Sequence, residues 1–343
     1  MINNIIYFTI FSFFFFLFNH LCFKYSFLVD RPNNSVHKNF ISQSKLVPIT
    51  GGLYLFLGYL FSKQYIYNFS EILFFGAILI LGHLSSVYKN FYPFLRLLIQ
   101  LAICALFLIF FKLNINDVRI DGLNSLLSNQ IIAYVFTIFC LLVFINGSNF
   151  IDGVNIISIS YFLMIFVSLV LLFENNNLLV NIKLIKLLIS LLVLLLCFNS
   201  LSKIFLGDSG IYFLSFITGI ILIKFSNDNV NVSPYYIISL LWYPCFENLF
   251  SIIRKKINKI KPQKADNMHL HHLLYLRLKP KKFFISSNNL TGFIIFVFNV
   301  PVFFLSTYYF DKTIVLIIII FISVIFYIFF YYLLKNYKVS KDF

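Results

Sequence analysis

The sequence predicts an all-α, polytopic integral membrane protein of about eleven transmembrane helices. Three observations carry this. Sixty per cent of the 343 residues are apolar, with 47 Phe, and mean hydropathy is +0.91. Apolar runs near the ~20 residues that a bilayer-crossing helix needs recur along the chain. They lie near 3–23, 50–69, 71–86, 94–111, 130–147, 155–173, 184–200, 210–225, 234–251, 289–310 and 313–334. No stretch has the mixed polar composition of a water-facing domain, so 1–343 reads as a single transmembrane domain. Its longest hydrophilic segment, about 252–288, reads as a basic, His-containing cytoplasmic loop.

The first run has no basic residue before it and no small-residue cleavage site after it, so it is expected to stay as the first span. Cys22, Cys104, Cys140, Cys197 and Cys245 sit in or at the ends of apolar runs without CxxC spacing. Such thiols suit a reduced core rather than disulfides or zinc.

Eleven crossings put the termini on opposite sides. The 27 Lys and Arg then fall twenty to one side and seven to the other, which orients the N-terminus outside and the C-terminus in the cytoplasm. The 12 acids split evenly, so the bias belongs to the cations. On this map the clusters DRPNNSVHKN (30–39) with PITGG (48–52), NGSNFIDGVN (146–155), NSLSKIFLGDSG (199–210) and DNMHLHH (266–272) share the cytoplasmic side. The outer loops hold nothing comparable.

In NGSNFIDGVN, Asn146, Asn149 and Asp152 recur every three residues, which on a helical end gives neighbouring positions on one face. A polar turn with Asn caps is the plain alternative, but an acid and several amides this close to lipid favour function. FLGDSG resembles a serine-protease nucleophile loop only superficially, because no β-domain exists to host a triad. It reads as Asp208 at a glycine-flanked helix start, where backbone N–H groups and a carboxylate can meet a phosphate and its metal. A simple N-cap is the alternative. His269, His271 and His272 lie in a loop without cysteines, so zinc is disfavoured and hydrogen bonding to a diphosphate is the better use. Most of Arg254 to Lys264 is expected to be a lipid-headgroup patch. His20 and His83 read as packing residues, and Trp242 as a belt or core aromatic.

Taken in order, DRP…VHK…PITGG, LGHLSSVYKNFYPFLRLLIQ, NGSNFIDGVN, FNSLSKIFLGDSGIYFL and YPCFENLFSIIR…DNMHLHHLL resemble the polyprenyl-phosphate N-acetylhexosamine-1-phosphate transferases, glycosyltransferase family 4. The resemblance runs from about residue 30 to 275. The HLHH loop is similar to the branch that starts O-antigen, enterobacterial-common-antigen or teichoic-acid lipid carriers. It implies transfer of a sugar-1-phosphate, GlcNAc-1-phosphate by default, from a UDP-N-acetylhexosamine to undecaprenyl phosphate, with release of UMP. It implies a bacterial inner-membrane enzyme, membrane-lipid contact, no nucleic-acid partner, and Mg²⁺ as cofactor with Mn²⁺ as substitute; a homodimer stays open. By the match, Asp208 and Asp152 are metal ligands, and Asp152, Asp208 and Asn149 catalytic. Asn146, Asn199, His269, His271, His272, Arg31, His37 and Lys38 are substrate contacts.

One departure stands out. The family carries acids where this chain has Ser85-Ser86, although Arg96 and Gln100 follow one turn apart. A phosphate monoester with a second pKa of ~6 is already mostly dianionic near neutral pH, so a missing base need not prevent attack. Three readings follow: an active transferase with an altered acid set, a catalytically silent relative that binds polyprenyl phosphate or a partner, and a transporter of lipid-linked sugars. The last is disfavoured because no intramembrane acid or inverted repeat is apparent.

Overall fold

The described part of every predicted apolar run is largely helical in the computed structural model, which describes residues 2–30, 46–61, 69–88, 91–176, 178–259, 267–281 and 283–339. The order is α1 (Ile2–Lys24), β1 (Val29–Asp30), β2 (Val47–Pro48), α2 (Gly51–Phe61), α3 (Phe69–Val87), α4 (Pro93–Phe110), α5 (Asp121–Leu127) and α6 (Gln130–Ile151). Then come α7 (Ile157–Asn176), α8 (Ile182–Ser200), α9 (Gly207–Asp228), α10 (Pro234–Ile257), α11 (Leu270–Leu278), α12 (Ser287–Tyr308) and α13 (Thr313–Val339). Ten of these helices are long and apolar enough to cross a membrane. The remaining predicted span is α2, whose 11 residues rise ~16 Å, about half of a ~30 Å hydrocarbon core. The rest of that run, 62–68, lies outside the described residues.

Helix α9 is the central post. Its apolar window is 83% buried, against 22% for α1 and 17% for α13, and it packs on α2, α3 and α6. α13 is nonetheless the more hydropathic sequence. Lipid tails and protein core are equally apolar, so hydropathy marks a span without saying what surrounds it.

Two local devices shape one end of the bundle. Val29 pairs with Pro48 and Asp30 with Val47 in a two-residue antiparallel bridge. Phe205 N–H donates to the Pro48 carbonyl at 2.8 Å, and Gly51 N–H to the Phe205 carbonyl at 3.0 Å. The chain between α1 and α2 is thereby laced to the chain leading into α9. The second device is Gly82 of α3, where a Cβ would lie 2.5 Å from the Asp208 carbonyl oxygen and from Ser209 Cα. Only glycine allows α3 to approach the first turn of α9 so closely.

At the opposite end, Arg119 donates to the carbonyls of Asp311, Val230 and Asn231 and to Thr313 Oγ1. It ties the loop after α4 to the α9–α10 and α12–α13 turns.

Candidate active site

The turn into α9 places Asp208. Gly207 has φ +68°, a left-handed conformation that costs glycine little, and Asp208 follows in the first helical turn. A carboxylate there complements the positive end of the helix dipole. Opposite it, Ser85 of α3 donates its hydroxyl to Asp208 Oδ2 at 2.9 Å and accepts from Arg96 Nη1 of α4 at 2.9 Å. Arg96 Nη1 lies 4.0 Å from Asp208 Oδ2, with the two side chains 25% and 28% exposed. Ser85 therefore bridges a guanidinium and a carboxylate. Ser86 instead bonds the Gly82 carbonyl of its own helix at 3.2 Å.

One turn along α4, Gln100 Oε1 accepts from Asn146 Nδ2 at 3.0 Å, and Asn146 also donates to the Leu142 carbonyl. This polar seam runs from α9 through α3 and α4 to α6. The stretch 146–151 is the last turn and a half of α6 rather than a loop, with Asp152 as its C-cap. Asn149 is half-buried on that last turn.

A cavity of about 210 Å³ gathers the separate motifs. Asp152, Asn199, Asp208 and His272 line it together, with Asp30, Gly207, Asn155 and Asn288 among the other walls. Asn199 shapes this space through its amide: it accepts from Ile156 N–H at 2.8 Å and donates to the Ile204 carbonyl at 3.0 Å. Ile156, a β-branched residue, is held at φ +76°, a strained conformation that needs such over-determination. Asn155 is buried and donates to Ser202 Oγ at 2.9 Å and Asn289 Oδ1 at 3.0 Å, tying the turn after α6 to α12.

The histidines do not lie in an open loop. His269 is the N-cap of α11, and the three rings form one cluster. His269 and His271 stack at 5.7 Å and 9°, and His271 and His272 approach to 4.2 Å. His271 is fully buried, with no partner for either ring nitrogen among the described residues. Burial, followed by the neighbouring His272 and His269, pushes its pKa well below the usual histidine range, so it stays neutral.

Sequence reading missed several contributors. Asp30 adds a third carboxylate to the cavity wall. Glu247 of α10 is wholly buried, which corrects the expectation that no acid lies within a span. Its partners are His269 Nδ1 at 2.8 Å and Tyr327 OH at 2.5 Å, which tie it to the histidine cluster beside this cavity. Arg254 and Lys255 are also buried, not part of a headgroup patch. Arg254 donates to Tyr331 OH at 3.0 Å and to the Met268 carbonyl, while Lys255 lies 5.9 Å over the Phe150 ring. Arg31, His37 and Lys38 lie outside the described residues.

Among the described residues there is no group of three or more His, Cys, Asp and Glu able to hold a metal, as a closed zinc site requires. Asp208 and Asp152, which both line the cavity, are a different donor set. Mg²⁺ is held by one or two carboxylates and completes its shell with water and phosphate oxygens. Both contacts of Asp208 among the described residues fall on Oδ2. The residues present fit such an ion.

Residues 68–226 match the model of glycosyl transferase family 4, a span that holds Ser85, Arg96, Asn146, Asp152, Asn199 and Asp208. The chain is also 28% identical over 256 residues to a probable undecaprenyl-phosphate N-acetylglucosaminyl 1-phosphate transferase of Bacillus subtilis (strain 168), covering 72% of this chain and 69% of that protein. The resemblance to glycosyl transferase family 4 that the ordered motifs suggest is thereby borne out.

Proposed function

We propose that this protein transfers an N-acetylhexosamine-1-phosphate, GlcNAc-1-phosphate by default, from a UDP-sugar to undecaprenyl phosphate. The products are undecaprenyl-diphospho-sugar and UMP, and the step initiates a cell-envelope polysaccharide such as O-antigen or a wall polymer. The observation that carries the reading is the 210 Å³ cavity, where Asp152, Asn199, Asp208 and His272 converge from four separate stretches of sequence. Similarity to glycosyl transferase family 4 and to the Bacillus protein supports it. The cation bias of the loops supports a bacterial inner-membrane protein with this end of the bundle in the cytoplasm, where nucleotide sugars are available.

An oxygen of the lipid phosphate attacks the sugar-side phosphorus, the bond to the uridine-side phosphate breaks, and UMP leaves with the electron pair. The attacking phosphate needs no strong base, because it is already mostly dianionic near neutral pH. What the site must do is hold two anionic groups together, mainly by positioning and charge neutralisation. Asp208 and Asp152 would hold Mg²⁺, which would supply Lewis-acid charge to the diphosphate. Arg96 adds a fixed cation beside Asp208, and its bond through Ser85 restrains the Asp208 carboxylate. The histidine cluster closes the other side with His272 on the cavity wall.

Purified protein given undecaprenyl phosphate, Mg²⁺ and a panel of UDP-N-acetylhexosamines releases UMP with at least one donor if this reading holds. The second reading, a silent relative that binds polyprenyl phosphate, is favoured by one observation. Arg96 and Ser85 engage Asp208 where the family places acids. Binding of the lipid phosphate with no UMP release from any donor selects it.

A further inference from the structure

Glu247 stands apart from the other acids of the chain. The remaining acids in the long helices lie within their first or last turns, as Glu71, Glu174, Asp208 and Asp228 do, or cap an end as Asp152 does. Glu247 is ten residues short of the end of α10 and has no exposure. A carboxylate removed from water in an apolar bundle is costly unless its oxygens are hydrogen-bonded. Each oxygen here has one donor. His269 Nδ1 lies 2.8 Å from Oε1, and the Tyr327 hydroxyl of α13 donates to Oε2 at 2.5 Å.

The 2.8 Å contact with Glu247 Oε1 falls on Nδ1 of His269 and fixes the ring's orientation. The ring is held from a second side by Phe150, the neighbour of Asn149 in α6, at a centroid distance of 5.2 Å. So oriented, His269 lies parallel to His271, and His271 abuts His272 on the cavity wall. The same arrangement, a buried carboxylate setting the angle of a histidine, tunes ligand-binding imidazoles in metal centres.

We propose that Glu247 is a positioning residue which, through His269, sets the three-histidine cluster in the geometry that binds the diphosphate of a nucleoside diphosphate. The role rests on the nucleotide-sugar reading of the cavity, and on one arm of Glu247 more than the other. The arm to His269 serves the ligand, whereas the arm to Tyr327 anchors α13.

A double-mutant cycle read as UDP affinity tests this. UDP in Mg²⁺ buffer is titrated into detergent-purified wild type, Glu247→Gln, His269→Ala, the double variant and Tyr327→Phe. Glu247→Gln is expected to weaken UDP binding about tenfold, the scale of one hydrogen bond to a charged group. His269→Ala should weaken it at least as much, the double variant no further than His269→Ala, and Tyr327→Phe less than about threefold. Glu247→Asp keeps the charge one methylene short, gives an intermediate loss, and carries the cycle if Glu247→Gln does not fold.

Losses that multiply in the double variant, a Tyr327→Phe loss equal to that of Glu247→Gln, or no UDP binding by wild type overturn the proposal. Wild type that binds UDP but releases no UMP from any UDP-sugar counts against the transferase reading alone, and the cycle on UDP affinity still decides the role of Glu247.

Discussion

Replacing Ser85 with alanine removes a hydroxyl that makes two hydrogen bonds, both to charged groups. It donates to Asp208 Oδ2 and accepts from Arg96 Nη1, each at 2.9 Å. A hydrogen bond to a charged group contributes about 1.5–3 kcal/mol. The Arg96 and Asp208 side chains are about a quarter exposed, so water recovers part of what is lost, and their 4.0 Å separation preserves some direct attraction. A net loss of about 1.4 kcal/mol follows, a tenfold fall in kcat/KM. Ser86→Ala is the internal control, since Ser86 bonds only the backbone of its own helix among the described residues, and it should stay within about threefold of wild type. UMP release measured across a range of UDP-sugar concentrations, with melting temperature followed in parallel, reads both variants. Equal losses from the two serines, or an unaffected Ser85→Ala, would refute the bridge between Arg96 and Asp208.

Chelation by EDTA should stop UMP release, and added Mg²⁺ or Mn²⁺ should restore it; undiminished release in EDTA would exclude the metal role of Asp208 and Asp152. His271 predicts a pH effect on stability. Its folded pKa is depressed by burial and its two histidine neighbours, so below the unfolded value of about 6.5 the unfolded chain binds a proton that the folded chain does not. Melting temperature in detergent should therefore fall from pH 7 toward pH 5, less steeply in His271→Gln; an identical slope in both proteins would remove His271 from the account. Arg119→Ala severs the tie among three turns at the far end of the bundle. It should lower the melting temperature by about 2–4 °C while leaving UMP release unchanged, and lost activity would show that the two ends are coupled.

The positions of the spans were legible because a helix crossing lipid must be apolar for about twenty residues. Lateral arrangement was not. α9 and α13 both read as spans, yet one is the enclosed post and the other faces outward. The site was legible where polarity interrupts greasy sequence: Asp152, Asn199, Asp208 and His272 all reach one cavity. Which partner each polar group chooses was hidden, because it depends on helix rotation and on residues remote in sequence. Ser85 and Ser86 are adjacent but about 100° apart around α3, so only one meets Asp208. Asn146 meets Gln100 of another helix, and the amide of Asn199 is taken up by backbone groups. Arg254 and Lys255, expected as surface charge, are buried against Tyr331 of α13 and Phe150 of α6, and Glu247 meets His269 and Tyr327, both remote in sequence.

The central claim is that the carboxylates gathered at this cavity carry out a phosphoryl-sugar transfer. It is tested most directly by extracting undecaprenyl-diphospho-sugar after incubating undecaprenyl phosphate, Mg²⁺ and UDP-N-acetylhexosamines with wild type and with Asp208→Asn. The account predicts lipid-linked product from wild type and about a hundred- to a thousandfold less from Asp208→Asn, with the two proteins melting at similar temperatures. Product at the wild-type rate from Asp208→Asn would contradict it, as would none from wild type with any donor.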